Sequence, residues 1–168
     1  MKNTKKNAFY AQSGGVTSVI NASACGVIES ARKNKKFIHK LYAGKNGILG
    51  ALNQELIDTS FESKAAVANL KYTPGGIFGS CRYKLEDFKK NSKDYEKLLK
   101  VFIAHNIGYF FYNGGGDSQD TTNKISQFCS LNGFDIKCIG IPQTVDNDLP
   151  LIDTSPGFGS VGKYTAIS

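Results

Sequence analysis

"YFFYNGGGDSQDTTNKIS", residues 109–126, runs from an apolar aromatic stretch into three glycines, an acid, a serine and then a polar–apolar alternation. The apolar run reads as a buried strand, and the alternation from Gln119 to Leu131 reads as a helix. Glycines at a strand-to-helix junction let backbone N–H groups approach a phosphate at the helix N-terminus. A tight turn with Asp117 or Ser118 as helix N-cap accounts for the same residues. The acid is what needs explaining, because a carboxylate repels phosphate unless a metal or a proton lies between them.

Working outward, strand and helix signals alternate along the chain. Strands are expected over residues 8–12, 37–42, 107–113 and 136–141. Helices are expected over 19–34, 60–70 with Ser60 as N-cap, 94–105 and 119–131, with another starting in "GFGSVGKYTAIS" at the C-terminal end. "AGKNGILGAL" (43–52) and "TPGGIFGSCR" (73–82) read as glycine-rich loops. Strands separated by helices imply βαβ units, so the expected fold class is α/β, an open, mostly parallel sheet flanked by helices. Residues 1–168 read as one domain. Three loops, "SGGVTS", "NGGGDS" and "PQTVDNDLP", follow expected strands and so should meet at one cleft beyond the carboxyl ends of the sheet. Neither the G-x-G-x-x-G dinucleotide fingerprint nor the G-x-x-x-x-G-K-[ST] phosphate loop occurs.

With 40% apolar and 21% charged residues, the composition is that of a soluble globular protein. There is no apolar signal-peptide core and no run of the roughly 18–20 apolar residues a membrane span needs, so no membrane partner is expected. The cysteines Cys25, Cys81, Cys129 and Cys138 form no C-x-x-C pair, and they read as buried reduced thiols in a cytoplasmic protein. A net charge of +7 favours anionic partners. Part of it lies in Lys2, Lys5, Lys6 and the "ARKNKK" run, which a solvated helix end explains as well as nucleic acid does. No nucleic-acid-binding motif is visible, and small phosphorylated substrates suit the charge better.

"TVDND" places Thr144, Asp146 and Asp148 two residues apart. In an extended loop these three side chains share a face, which suits a hydroxyl held by one group and deprotonated by another. A plain Asx-rich turn is the other reading. Arg82, after "GIFGSC", has the fork to bridge a phosphate, or to pair with a surface acid.

Taken together and in order, "AQSGGVTSVINAS", "TPGGIFGSCR", "NGGGDSQDT" and "PQTVDNDLP…SPGFGSVGKY" resemble the phosphofructokinases, and among these the pyrophosphate-dependent ones. The resemblance covers nearly the whole chain. It implies reversible transfer of a phosphoryl group from pyrophosphate to the C1 hydroxyl of fructose 6-phosphate, with Mg²⁺ as cofactor. It also implies that the chain is the N-terminal, donor-binding and catalytic lobe, without the second lobe, of a homo-oligomeric enzyme (dimer or tetramer). Carried over residue by residue, Asp146 is the base, Thr144 binds substrate and positions the transferring group, and Asp148 holds the catalytic loop and sugar. Gly14, Gly15, Arg82, Gly115, Gly116, Ser118 and Gln143 fall on the donor-phosphate side. Asp117 stands where ATP users have glycine, so its carboxylate takes the space and charge of the nucleotide's α-phosphate and disfavours ATP.

Two positions depart from the pattern. Gly116 replaces an acid usually assigned to Mg²⁺, which leaves Asp117 or Asp146 to serve the metal, through water if need be. Gln143 stands where pyrophosphate enzymes carry lysine and ATP enzymes carry glycine, so a cation is missing beside the transferring group. An ATP-dependent sugar kinase and a non-catalytic phosphate-binding subunit are the alternative readings.

Overall fold

The strand Lys6–Gln12 (β1) is buried from Asn7 onward, because it is flanked on both sides by parallel partners and covered on both faces. The computed structural model describes residues 5–168; Lys2, counted above in the basic N-terminus, lies outside the described residues. Four more strands follow: Ile38–Gly44 (β2), Leu56–Asp58 (β3), Ile107–Gly114 (β4) and Lys137–Pro142 (β5). The sheet order is β3-β2-β1-β4-β5, parallel except for β3, which pairs antiparallel with β2. The helices are Ile20–Lys33 (α1), Ile48–Leu52 (α2), Lys64–Asn69 (α3), Lys93–Ala104 (α4), Gly116–Leu131 (α5) and Phe158–Ile167 (α6).

Alternation along β1 and β4 divides the core in two. Phe9, Phe110 and Tyr112 face Leu98, Phe102, Ile125 and Phe128 from α4 and α5. Phe9 and Phe110 lie nearly parallel with ring centroids 5.8 Å apart, and Phe102 leans on both. On the opposite face Ala8, Tyr10, Leu41 and Ala43 pack against Ala24, Cys25 and Ile28 of α1. Beyond α1 this second face is thinly covered. A cavity of about 530 Å³ is lined by Val27, Phe37, Tyr109, Phe111, Ile139 and Ile141, and α6 buries none of its residues.

Several expectations need correction. "AGKNGILGAL" is not all loop, since Ile48, Ala51 and Leu52 bury one side of the short helix α2. The three-residue edge strand β3 carries no periodicity long enough to read from sequence. Ser60 does not cap α3. It sits in a 3₁₀ turn, Thr59–Phe61, where its own N–H donates to Asp58, while Ser63 Oγ accepts from Ala66 N at 3.0 Å and caps α3. Helix α5 begins at Gly116 rather than Gln119, with Gly115 at its cap position, so neither Asp117 nor Ser118 is the N-cap. Cys25 and Cys129 are buried as expected, but Cys81 and Cys138 are half-buried, and all four are unpaired.

The crossover from β3 back to β4 puts the topological switch between β1 and β4. The loops after these neighbouring strands diverge there and leave a crevice at the carboxyl ends.

Candidate active site

The crevice is a cleft of about 460 Å³ lined by all three post-strand loops and by the Arg82 loop. A larger cavity of about 700 Å³, between α1, β2 and α3, holds no residue of those loops. Chemistry, not size, singles out the smaller one.

The floor is made by "SGG" after β1. Ser13 forms a parallel bridge with Cys81, Gly14 N donates to Cys81 O at 3.0 Å, and Ser80 Oγ donates to Gly14 O at 2.6 Å. These bonds stitch the β1 loop to the loop that carries Arg82. Gly14 has φ +75°, a left-handed conformation that glycine adopts without strain. A Cβ on Gly15 would lie 3.4 Å from an Arg82 guanidinium nitrogen, so that cation lies over the bare backbone of the loop.

Beneath the floor is a buried polar network. Tyr10 Oη accepts from Asn113 Nδ2 at 2.9 Å and from Gln12 Nε2 at 3.3 Å. Burial pushes the Tyr10 hydroxyl up to about 12, against the opposing effect of these bonds, so it stays protonated. Gln12 also donates to Asn21 Oδ1, which in turn accepts from Ile77 N, while Gln12 Oε1 accepts from Phe78 N. The network therefore fixes the glycine-rich 73–82 loop relative to β1 and α1.

One wall is the N-terminus of α5. Gly115, Gly116, Asp117 and Ser118 line the cleft, and the first-turn N–H groups of a helix carry partial positive charge suited to an anion. Asp117 is exposed, and its Oδ1 accepts from Lys84 Nζ at 2.8 Å. Ser118 is buried.

The other wall is "QTVDND". Gln143 is buried and ties β5 to the β1 loop: its Nε2 donates to Thr17 Oγ1 at 2.9 Å and Gly15 O at 3.2 Å, while its Oε1 has no partner. Thr144 N donates to Pro156 O, and Thr144 Oγ1 accepts from Asp146 N at 3.1 Å and lies 3.4 Å from Asp146 Oδ2. The segment is thus not the extended loop expected. It bends at Thr144, and Asn147 has φ +51° with its side chain holding Asp153 O and Ser155 N. Thr144, Asp146 and Asp148 still line one cleft, by a side-chain-to-backbone turn rather than by strand alternation.

Every residue singled out from sequence lines this cleft: Gly14, Gly15, Arg82, Gly115, Gly116, Asp117, Ser118, Gln143, Thr144, Asp146 and Asp148. The sequence reading missed Tyr83, Lys84 and Thr121. The signal for Lys84 was the R-x-K spacing after Arg82, whose second cation is aimed by a turn that spacing does not reveal. An exposed carboxylate beside a held hydroxyl, a guanidinium and a helix N-terminus can bind an anion and accept a proton from an alcohol.

The Phosphofructokinase family profile matches residues 7–166. The chain is 61% identical to the pyrophosphate–fructose 6-phosphate 1-phosphotransferase of Methylococcus capsulatus, over 97% of this chain and 39% of that protein. It is 62% identical to the enzyme of the same name from Halomonas elongata, over 96% of this chain and 39% of that one. The crystal structure of a pyrophosphate-dependent phosphofructokinase from Marinobacter aquaeolei superposes with a TM-score of 0.90 at 65% identity, over 96% of this chain and 39% of its own. The chain thus spans about 39% of the length of these relatives. With nearly its whole length inside the family profile and its strand order built around the shared loops, this chain belongs to the phosphofructokinase family.

Proposed function

We propose that the protein of which these residues form the donor-binding and catalytic lobe transfers a phosphoryl group from pyrophosphate to the C1 hydroxyl of fructose 6-phosphate. The observation that carries this reading is the convergence of Thr144, Asp146, Arg82 and the two glycine loops on one cleft. Relatives at about 60% identity with that named activity support it.

In this reading pyrophosphate lies along the "SGG" backbone and the N-terminus of α5, with Arg82 on its charge. Asp146 takes the proton of the C1 hydroxyl, aided by Thr144, whose hydroxyl orients the carboxylate. The alkoxide oxygen bonds to the terminal phosphorus as the bond to the bridging oxygen breaks, and orthophosphate leaves with the bridging oxygen. Asp148 lines the acceptor side of the same loop.

The residues fit Mg²⁺ of the kind phosphates carry. No cluster of three or more metal-ligating side chains occurs among the described residues, and Mg²⁺ needs only one or two carboxylates besides phosphate and water. Asp117, Asp146 and Asp148 are the exposed carboxylates in the cleft, and with Asp146 taken as the base the ion falls to Asp117. Asp117, with Oδ1 engaged by Lys84, would serve through its other oxygen or a water. When bound, the ion neutralises charge on the donor phosphates.

Asp117 at the start of α5 disfavours a nucleotide donor by charge and bulk, so the ATP-dependent reading ranks second. Assembly into a homo-oligomer and a cytoplasmic location belong to the same proposal; no helix among the described residues is long and apolar enough to cross a membrane. The test is a coupled assay for fructose 1,6-bisphosphate on the full-length protein, with Mg–pyrophosphate and Mg–ATP at matched concentrations. Faster turnover on pyrophosphate is expected. Faster turnover on ATP would reverse the donor assignment.

A further inference from the structure

Of the residues lining the cleft, Arg82 and Lys84 are the only cations, and they stand against Asp117, Asp146 and Asp148. Arg82 and Lys84 lie on the loop stitched to β1, while Asp117 lies in the first turn of α5. The hydrogen bond from Lys84 Nζ to Asp117 Oδ1, 2.8 Å, therefore joins the loop stitched to the floor of the cleft to the wall made by α5. The chain leading to Lys84 is held at two points. Before it, Ser13 bridges Cys81 and Gly14 N bonds Cys81 O; immediately beside it, Tyr83 Oη donates to Asp94 Oδ2 of α4 at 2.6 Å. Only the side chain of Lys84 is free to choose its partner, and that partner is Asp117.

We propose that the Lys84–Asp117 pair is a strap between the floor loop and the α5 wall of the cleft that sets donor length: Asp117 positions the Lys84 ammonium to meet a diphosphate, and the closed pair excludes a longer, nucleoside-bearing donor. This rests on the proposed donor role of the cleft and adds a residue to it.

An ammonium has three N–H donors. One goes to Asp117, and two remain for phosphate oxygens, so the pair can persist when a diphosphate is bound. The acid then raises affinity for a short anion by holding a cation in place, although by charge alone it repels anions. For a triphosphate with a nucleoside the same pair is an obstacle, because in the proposed donor site the longer chain must run past the start of α5, where the strap stands. Loss of Asp117 thus has effects of opposite sign on the two donors, while loss of Lys84 leaves the acid unpaired and favours neither. General loosening of the fold weakens both.

The test is titration calorimetry on the full-length protein with Mg–pyrophosphate and with Mg–ATP, for wild type, Lys84→Met, Lys84→Arg, Asp117→Asn and the Lys84→Met/Asp117→Asn double variant. Circular dichroism melting checks that each remains folded. Lys84→Met is expected to weaken Mg–pyrophosphate at least fivefold without improving Mg–ATP, with Lys84→Arg restoring most of the diphosphate affinity, whereas Asp117→Asn is expected to strengthen Mg–ATP. Asp117→Asn is expected to weaken pyrophosphate in the wild-type background and to add little once Lys84 is gone, since neighbours acting as one unit are not additive. Equal pyrophosphate affinity in wild type and Lys84→Met, or additive effects of the two single changes, would overturn the strap and leave the donor cleft standing. Absence of Mg–pyrophosphate binding to wild type would overturn both.

Discussion

Gln143 Nε2 donates to Thr17 Oγ1 at 2.9 Å across 126 residues of chain, and through this bond the end of β5 is fastened to the start of α1. The same amide nitrogen holds Gly15 O, while Oε1 is buried without a partner. An orphaned buried acceptor costs about 1–3 kcal/mol. A lysine here would donate to the same two oxygens, leave no orphan and keep one N–H for a phosphate. Gln143→Lys is therefore expected to raise pyrophosphate turnover of the full-length protein at least about tenfold, the scale of one transition-state contact. Single-turnover kinetics measures it, and an unchanged rate in a folded variant would show that the amide already has its partner in the bound state.

Asp117→Gly removes the carboxylate from the first turn of α5 without touching its backbone bonds. The expected outcome in the full-length protein is measurable use of ATP together with a raised KM for pyrophosphate. Steady-state kinetics with both donors decides; if ATP use is no better than wild type, Asp117 is not the donor determinant.

Asp146→Asn keeps an acceptor near Thr144 Oγ1 but loses basicity. Turnover should fall by about 10²–10⁴-fold, the range for a general base, with little change in pyrophosphate affinity. Binding and rate measured on the same variant separate the two, and a comparable loss of affinity would make Asp146 a binding group rather than the base.

Asp58 accepts from Lys40 Nζ at 2.6 Å and from Ser60 N at 2.9 Å. Burial pushes its carboxyl up, but these bonds outweigh burial and hold it below the ordinary range. With the folded value depressed, its contribution is present above the unfolded value, about 3.9, and is lost as pH falls through the folded value. Asp58→Asn keeps the cap acceptor and removes the titration. Its Tm should lie below wild type at pH 7 and converge with it as the pH drops below about 4; parallel curves would remove Asp58 from the acid limb.

Tyr109, Phe111, Ile139 and Ile141 line an apolar cavity that α6 does not cover, and Ile139 is 46% exposed. The 168-residue chain alone is expected to self-associate through this face while still binding Mg–pyrophosphate, and to phosphorylate no sugar. Sedimentation with Ile139→Lys as comparison tests the first point, and a monomer at high concentration in wild type would contradict it. Sugar turnover by the purified chain would contradict the last.

The sequence by itself determined the α/β class and the positions of the long elements β1, α1, β4, α4, α5 and β5. Their apolar periods run over enough residues to outweigh local noise. It also pointed to the glycines and acids that line the cleft, chiefly because four motifs in order resemble those of a known family. What only the tertiary structure decided were features set by partners far along the chain. The edge strand β3 exists because β2 offers it a ladder, not because three residues prefer extension. The cap of α3 falls on Ser63 because Asp58 already serves the preceding turn. Thr144 and Asp146 meet through a bend closed by a hydroxyl, where spacing suggested an extended loop. Lys84 reaches Asp117 because Tyr83, the Cys81 bridge and the start of α5 fix where its stem begins and where its charge ends. A short side chain's conformation is settled by a few tenths of an ångström in its neighbours. Those neighbours are chosen by packing of the whole sheet, which no local pattern encodes.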